Sequence, residues 1–411
     1  MAAPTVRLDS LDIMHIVQVA QHIGPGSGVA GVAYNLERQF VAMGHTVEQF
    51  TMRTAGWRDR PWPRQRLFRA LAMFRRTIWF STVGTVRARR FIAARPQCVS
   101  ICHGAPLVGD VYVNHGVISE AMRSRGHGLL RMLRNPTHPF TYLRDLIRYR
   151  SSIHRVVVAL SPSETVALRR AYGRIKPPIE VIPNGVDTGV FRPPSANERR
   201  SARAAFALDD EARVALFIGH EFGRKGLDFA IEALVHAPSV LLLVAGGETP
   251  EWISWARTVA ERLDVSERVL LMGPRADLAL FFAASDMFVL PSRYEPYGLV
   301  VLEALASGLP VICTPVGCAP EVIDSGVNGF LVPPEPREIG RRMEELAAFA
   351  PASFSSGARR VAERHQWPSV AADYIALLGN LSNPRQSAKE RRARRRGRTP
   401  RHGNLTGDAG D

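Results

Sequence analysis

Two glutamates eight positions apart, Glu295 and Glu303, stand in the stretch of this chain best suited to turn carboxylates into ligand-binding groups. Residues 287–290 form a short apolar run with the composition of a buried strand, and Pro291 ends it. A loop with Glu295 follows, and Pro296 suits the first position of a helix, where its missing N–H would have no partner anyway. This predicts a helix over residues 296–307, closed by Gly308. The first-turn N–H groups of Tyr297, Gly298, Leu299 and Val300 would point into the crevice at the strand ends, a ready site for a diphosphate. Glu303 is a lone carboxylate about two turns into an apolar helix. Either it lines the same extended ligand as Glu295 or it marks a solvent-facing strip, and the spacing leaves both open.

Phosphates need cations, and Arg224-Lys225 sits between Gly223 and Gly226, after an apolar strand and before a helix. Arginine can clamp phosphate oxygens in a bidentate way while lysine adds a point charge. By themselves, adjacent basic residues in such a glycine-bounded loop are usually just solvated. Near the start of the chain, Gly24, Gly26 and Gly28 interrupt a strand-to-helix junction, a lone glycine cluster that is not a G-x-G-x-x-G motif. His115, in Val113-Asn114-His115-Gly116, and His103, in Cys102-His103-Gly104, both follow strand-like runs. As residues alone, each reads as a packed histidine after a strand.

Loops of this kind must be held by a scaffold. Residues 13–19 are β-rich, residues 29–43 carry Val32, Leu36 and Phe40 at helical spacing, and Gly44 caps that helix. Strand-like runs at 214–218, 240–244, 269–272, 287–290 and 310–313 alternate with helical stretches in the second half. Such alternation implies an α/β fold with parallel sheets. Pro193-Pro194-Ser195 and the polar residues to Glu198 read as a hinge, and residues 337–349 and 369–378 as terminal helices.

The run from Glu295 to Val311 resembles the E-x7-E signature of the retaining GT-B glycosyltransferases of family four, with Tyr297 where Phe is more usual. The resemblance implies two Rossmann-like parallel-sheet domains facing across a cleft. Residues 1–192 would form the acceptor-side domain and residues 193–365 the nucleotide-sugar domain. Residues 366–383 would be a helix crossing back to the first domain, and 384–411 a disordered basic tail. It also implies roles: Glu295 on the hydroxyls of the donor sugar, and Glu303 on the ribose. His115 resembles the family's strand-end His-Gly, which implies a hydrogen bond to the donor sugar near the anomeric carbon, with His103 a competing, lower-ranked match. Gly24 to Gly28 resembles the family's glycine loop, which implies backbone N–H groups, those of Gly26 and Gly28 among them, near the β-phosphate and the acceptor. Pro183-Asn184-Gly185-Val186-Asp187 is similar to the segment closing the first domain in that family; as residues alone it reads as a type I′ turn, structural in either case. Residues 316–321 resemble the family's GG-x-x-E element with Cys318 in place of the second glycine, and there Glu321 reads as structural. The form around Arg224-Lys225-Gly226 is similar to the lipopolysaccharide-core glucosyltransferase branch, where the adjacent Arg and Lys bind donor phosphates; an Arg more common in the family is here His220. The donor would be a UDP-, GDP- or ADP-sugar and the acceptor a glycan or a lipid-linked sugar. No cofactor is called for, and metal independence is expected because no Asp-x-Asp motif lies between strands.

Composition narrows the alternatives. The chain of 411 residues carries a formal charge of +15, but residues 53–95 hold +11 of it and residues 385–411 another +6, so the remainder is nearly neutral. That distribution, and the lack of a recognition motif, argue against a nucleic-acid-binding protein. The remaining rivals are a GT-B scaffold with other sugar-nucleotide chemistry, such as an epimerase, and an inactive sugar-nucleotide binder. Residues 64–80 put Leu67, Leu71, Phe74 and Ile78 on one helical face, with Phe68 and Trp79 flanking and five arginines around it. The basic segment 57–95 reads as an interfacial helix drawn to an anionic membrane, or as an ordinary amphipathic helix with a core-facing side. The arginine-rich stretch at 391–396 could touch phosphates or simply be solvated. The first residues lack a signal peptide's apolar core, and no apolar run approaches the ~18 residues of a membrane span. The four cysteines fit neither a zinc site nor a disulfide framework. A cytoplasmic protein, peripheral on the cytoplasmic face of the membrane, is expected.

Overall fold

A computed structural model of the chain describes residues 13–382, apart from 27, 59, 60, 62, 64, 127, 248, 350 and 351. Of residues 66, 67, 129, 131 and 352 the backbone alone is described. The basic tail, Arg64 and the side chains of Arg66 and Leu67 therefore lie outside the described residues.

Among the described residues, twelve strands make two six-stranded, wholly parallel sheets. The first contains β1 (His15–Val19), β2 (Thr46–Phe50), β3 (Cys98–Cys102), β4 (Val111–Val113), β5 (Val156–Ala159) and β6 (Ile179–Val181), in the order β2-β1-β3-β4-β5-β6. The second contains β7 (Arg213–Gly219), β8 (Val240–Gly246), β9 (Val269–Leu271), β10 (Met287–Leu290), β11 (Val311–Cys313) and β12 (Gly329–Leu331), in the order β12-β11-β10-β7-β8-β9. Helices cover both faces, which is why strands such as β5 and β10 are apolar at every position and fully buried.

This topology decides where ligands can go. In the second sheet the chain starts at β7, builds outward through β8 and β9, then returns to pair β10 on the other side of β7. The strand order reverses between β7 and β10, and the loops leaving their carboxyl ends diverge to open a crevice. Arg224 and Lys225 follow β7, and Glu295 follows β10. In the first sheet the reversal falls between β1 and β3, so the glycine loop at 24–28 and His103 border the corresponding crevice.

The linking segments are tied down by specific contacts. Ser195 caps the helix Ala196–Ala205 in a reciprocal capping box with Glu198, so the polar residues read as hinge are the start of a helix, and only Pro193-Pro194 precedes it. Asn184-Gly185 is not a type I′ turn, since neither residue has the positive φ that turn requires. A Cβ on Gly185 would lie 2.6 Å from the Trp367 ring, and Val186 N–H donates to the His365 carbonyl. The last helix, Trp367–Ser382, returns from there to the first domain, where Tyr374 packs edge-on against Phe40 and Arg155 donates to the Leu381 carbonyl.

Beneath β7 lies a buried ionic knot. Asp286 accepts from Val214 N–H at 2.8 Å, from Arg199 at 2.6 Å and from the buried Arg203 at 3.4 Å. Removing one partner of such a pair strands a charge in low dielectric, at a cost of about 3–5 kcal/mol. Asp286→Ala should therefore lower the midpoint of thermal unfolding by several degrees. A midpoint equal to the parent's would show that this knot does not hold the second domain.

Candidate active site

The two loops that carry the chemistry are joined at backbone level. The helical turn Phe222–Lys225 ends on Gly226, whose φ is +76°, and a Cβ there would sit 2.0 Å from the Pro291 carbonyl oxygen. Only glycine permits that approach. Arg293 completes the seam: its N–H donates to the Arg224 carbonyl at 2.9 Å, and its guanidinium bonds the Gly223 carbonyl and pairs with Asp228 at 2.6 Å. The result presses Lys225 against Glu295, with Nζ 2.7 Å from Oε1.

Glu295 is 7% exposed, and its bonds fall on one oxygen. Oε1 accepts from Ser292 Oγ at 2.8 Å, from Lys225, and at 3.4 Å from Arg224. Oε2 has no partner among the described residues and is left for a ligand. Arg224 donates from Nε to Glu221 at 2.8 Å and to the Tyr294 carbonyl at 2.7 Å. Burial opposes its charge, but Glu295 and Glu221 more than offset that and raise its pKa.

The helix after Glu295 runs Leu299–Ala306 and starts three residues later than the sequence suggested. Gly298, at φ +88°, takes a left-handed turn, and the Tyr297 carbonyl accepts from Cys318 N–H at 2.7 Å instead of entering the helix. The intimate backbone contact of this region falls on Gly317, whose Cβ would lie 2.2 Å from that carbonyl, so Cys318 is tolerated next door. The expected anion site thus loses Pro296 as its opening residue. Tyr297, Gly298, Leu299 and Val300 still line one cavity with Glu295, Glu303 and Lys225. Tyr297 contributes backbone only, because its ring is buried and its hydroxyl donates to the Asn184 carbonyl.

Glu303 faces that cavity, not bulk solvent. Its carboxylate is partly open to the cavity yet otherwise enclosed by protein, and it makes no hydrogen bond among the described residues. Burial pushes its pKa up to about 7, with Lys225 pulling the other way.

The cavity has a volume of about 280 Å³ and both domains wall it: Gly28 and His115 from the first, Lys225, Glu295 and Glu303 from the second. His220 also lines it. Gly26 does not; its carbonyl packs against Gly31, where a Cβ would lie 1.9 Å away. The His115 loop is anchored by Asn114, which donates to Glu164 at 2.6 Å and accepts from Tyr149 at 2.7 Å. It meets the second domain where Val117 N–H donates to Tyr294 Oη at 2.9 Å. His103 comes to the same place, 3.2 Å from the His115 ring. A second cavity of about 490 Å³ continues past His115 into the first domain. A third, of about 820 Å³, adjoins it at Gln21 and His22 and is lined by Arg53, Trp57 and Arg75.

Sequence reasoning missed the Arg293–Asp228 pair, because an ordinary Arg and Asp 65 positions apart carry no local signal. It placed His103 as a rival to His115, whereas the fold pairs them. Glu321 is exposed on the short helix Ala319–Val322 and does not line the cavity with Glu295 and Glu303.

Residues 198–350 match the family model described as Glycosyl transferases group 1, and residues 26–190 match Glycosyltransferase Family 4. The chain is 33% identical over 224 residues to the D-inositol 3-phosphate glycosyltransferases of Mycobacterium tuberculosis and Mycobacterium bovis, covering 51% of this chain and 46% of the relative. It thus spans about half the length of the curated relatives it matches. Among solved structures it resembles WaaG, a glycosyltransferase involved in lipopolysaccharide biosynthesis, with a TM-score of 0.69, 20% identity, and coverage of 88% of this chain and 99% of that one. It also resembles Anabaena Alr3699/HepE in complex with UDP and glucose, with a TM-score of 0.65, 20% identity, and coverage of 89% and 100%. The architecture is a two-domain α/β fold with the site between its halves. The chain has the GT-B fold of the group 1 and family 4 glycosyltransferases.

Glu303 leaves a measurable mark on stability. Its carboxyl binds a proton more tightly folded, at about 7, than at the ordinary value of 4.5. Its contribution is therefore fully present below the unfolded value and is lost as pH rises through 7. In the ligand-free protein, Glu303→Gln should raise stability at pH 8 by up to ~3 kcal/mol, the two proteins converging near the lower pKa. Thermal unfolding across that pH range tests this; a difference that does not vary with pH would count against a cavity-facing, desolvated carboxyl.

Proposed function

We propose that the protein is a retaining glycosyltransferase that moves a sugar from a nucleoside-diphosphate sugar to a glycan or lipid-linked acceptor, in the synthesis of cell-envelope polysaccharide or glycolipid. One observation carries this reading. Two carboxylates with unspent oxygens, Glu295 and Glu303, face a single cavity that Lys225, Arg224 and the N-terminus of the helix bearing Glu303 also line.

The chemistry follows from that arrangement. A nucleoside diphosphate is an adequate leaving group once its growing charge is balanced, so fixed positive potential matters more than a strong general acid. Lys225 Nζ has three N–H donors and spends one on Glu295, leaving others for phosphate oxygens. Arg224 keeps one terminal nitrogen without a partner among the described residues. The first-turn N–H groups of the helix Leu299–Ala306 add backbone donors and the positive end of its dipole. Glu303 would hold the ribose and Glu295 the sugar hydroxyls, its charge near the anomeric carbon favouring an oxocarbenium-like transition state. The acceptor hydroxyl would enter through the first-domain cavities and attack from the face the phosphate leaves. Arg224, Lys225 and the helix supply the charge balance in this scheme, so no step is assigned to a metal ion. The WaaG likeness, a match of fold, fits the lipopolysaccharide-core branch to which the Arg224-Lys225-Gly226 form is similar.

A membrane-bound acceptor accords with the surface of the helix Arg66–Trp79. Phe68, Leu71 and Met73 are 54%, 60% and 44% exposed beside Arg69 and Arg75, so that part of the apolar side faces outward and not into the core. Phe74 and Ile78 are half-buried, and Trp79 packs on Trp57 with ring centroids 4.9 Å apart. Apolar groups among arginines suit the headgroup region of an anionic leaflet. Among the described residues no helix is long and apolar enough to cross a membrane, so attachment here would be peripheral, on the cytoplasmic side.

Two experiments test these statements. UDP-, GDP- and ADP-sugars are screened for nucleoside-diphosphate release, with and without EDTA. One donor should be turned over in the presence of chelator, and Glu295→Ala should lower the rate by about 10²–10³-fold; equal release by the variant would defeat the assignment. Sedimentation with vesicles of phosphatidylglycerol or of phosphatidylcholine tests the surface. Binding should need the anionic lipid, weaken at high salt, and drop in Phe68→Ser/Leu71→Ser, whereas indifference to lipid charge excludes the membrane role.

A further inference from the structure

Behind His115 lies a hydrogen-bonded chain whose proton positions can be read from its ends. Gln18, on β1, is fully buried. Its amide Nε2 donates to the Ala33 carbonyl at 3.0 Å, which fixes the side-chain orientation, because the reverse would set two oxygens face to face. Gln18 Oε1 therefore accepts, and its partner at 2.9 Å is His103 Nε2, which must carry a proton. A neutral His103 then has its lone pair on Nδ1. That nitrogen is 3.2 Å from His115 Nε2, so the proton between the two rings belongs to His115. The remaining nitrogen of His115, Nδ1, has no hydrogen-bond partner among the described residues, and the ring lines both the donor cavity and the cavity beside it.

Burial keeps both rings in this neutral state. It lowers the pKa of His103 well below the ordinary value, with His115 adding to the effect, and pushes His115 down to about 4.

We propose that Gln18 and His103 are positioning residues that lock His115 in its Nε2-protonated tautomer, so that Nδ1 is a fixed hydrogen-bond acceptor for a hydroxyl of the bound sugar. A lone pair there welcomes an O–H and repels a carboxylate, so the relay selects a neutral hexose over a hexuronate. This selection rests on the transferase reading above, while the tautomer does not.

The tautomer is measured directly on the full chain with 15N-labelled histidine. Long-range 1H–15N correlation distinguishes a protonated ring nitrogen from one with a lone pair, and His115→Gln assigns the signals. At neutral pH His115 should show a protonated Nε2 and a lone pair on Nδ1. A protonated Nδ1, whether as the other tautomer or as imidazolium, overturns the proposal without reference to activity. In Gln18→Leu the His115 signals should shift toward a mixture of tautomers, and a spectrum identical to the parent's overturns the relay. His103→Asn, whose amide oxygen can accept from His115 Nε2, should keep most of the kcat/KM that His103→Leu loses by about tenfold. Equal losses in the two variants contradict the positioning role.

For the selection, UDP-glucose and UDP-glucuronate are compared by calorimetry, with the GDP and ADP sugars alongside. The hexose nucleotide should bind at least about tenfold more tightly, the worth of one good hydrogen bond. Equal affinity refutes the selection. Should the spectrum agree but no nucleotide sugar bind, it is the transferase reading that fails and the relay that stands.

Discussion

The site depends on one steric fact: the backbone leaving β7 and the backbone leaving β10 touch at Gly226. Because no side chain intervenes there, Lys225 and Glu295 are brought within 2.7 Å, and the cationic and anionic halves of the site become one surface. Arg293 stitches the same seam from the other strand end and spends its charge on Asp228, so its role is to hold the loops together. The parallel sheet supplies the gap in which this happens, since the reversal of strand order parts the flanking loops.

Charge is distributed with similar economy. Every cation that faces the cavity from the second domain is partly neutralised by a neighbouring carboxylate, Arg224 by Glu221 and Lys225 by Glu295. Each retains donors beyond those the protein uses. Glu303 has no hydrogen-bonding partner among the described residues, and Lys225 offsets only part of its desolvation cost, as expected of a group whose partner arrives with the ligand. Binding sites that leave polar atoms unsatisfied sacrifice stability for recognition, and in the function proposed above Glu303 is the residue that does so.

Much of this was legible in the residues. The alternation of apolar runs with helical periodicity gave the parallel α/β class, and Gly223 and Gly226 bounded the Arg224-Lys225 loop without showing that Gly226 had to let the Pro291 carbonyl approach. The capping box at Ser195 and Glu198 was equally visible but was absorbed into a hinge, because prolines dominated the reading. The start of the helix after Glu295 was misjudged for a physical reason. Pro296 is permitted at a first helical position, but Gly298 sits in a left-handed turn and the Tyr297 carbonyl is claimed by Cys318, a contact 21 residues away that no local rule contains. Solvent-facing or ligand-facing, Glu303 could not be placed by periodicity alone, since a cavity wall and a surface strip have the same pattern. The pairing of His103 with His115 depends on β3 lying beside β4, which is topology and not spacing.

The most direct measurement of the central claim is a crystal structure with a nucleoside diphosphate bound. The account places the diphosphate on Lys225, Arg224 and the N–H groups at the start of the helix Leu299–Ala306, with the ribose hydroxyls on Glu303. A nucleotide bound elsewhere, or one in this cavity with its ribose turned from Glu303 and its phosphates beyond reach of Lys225, would contradict it.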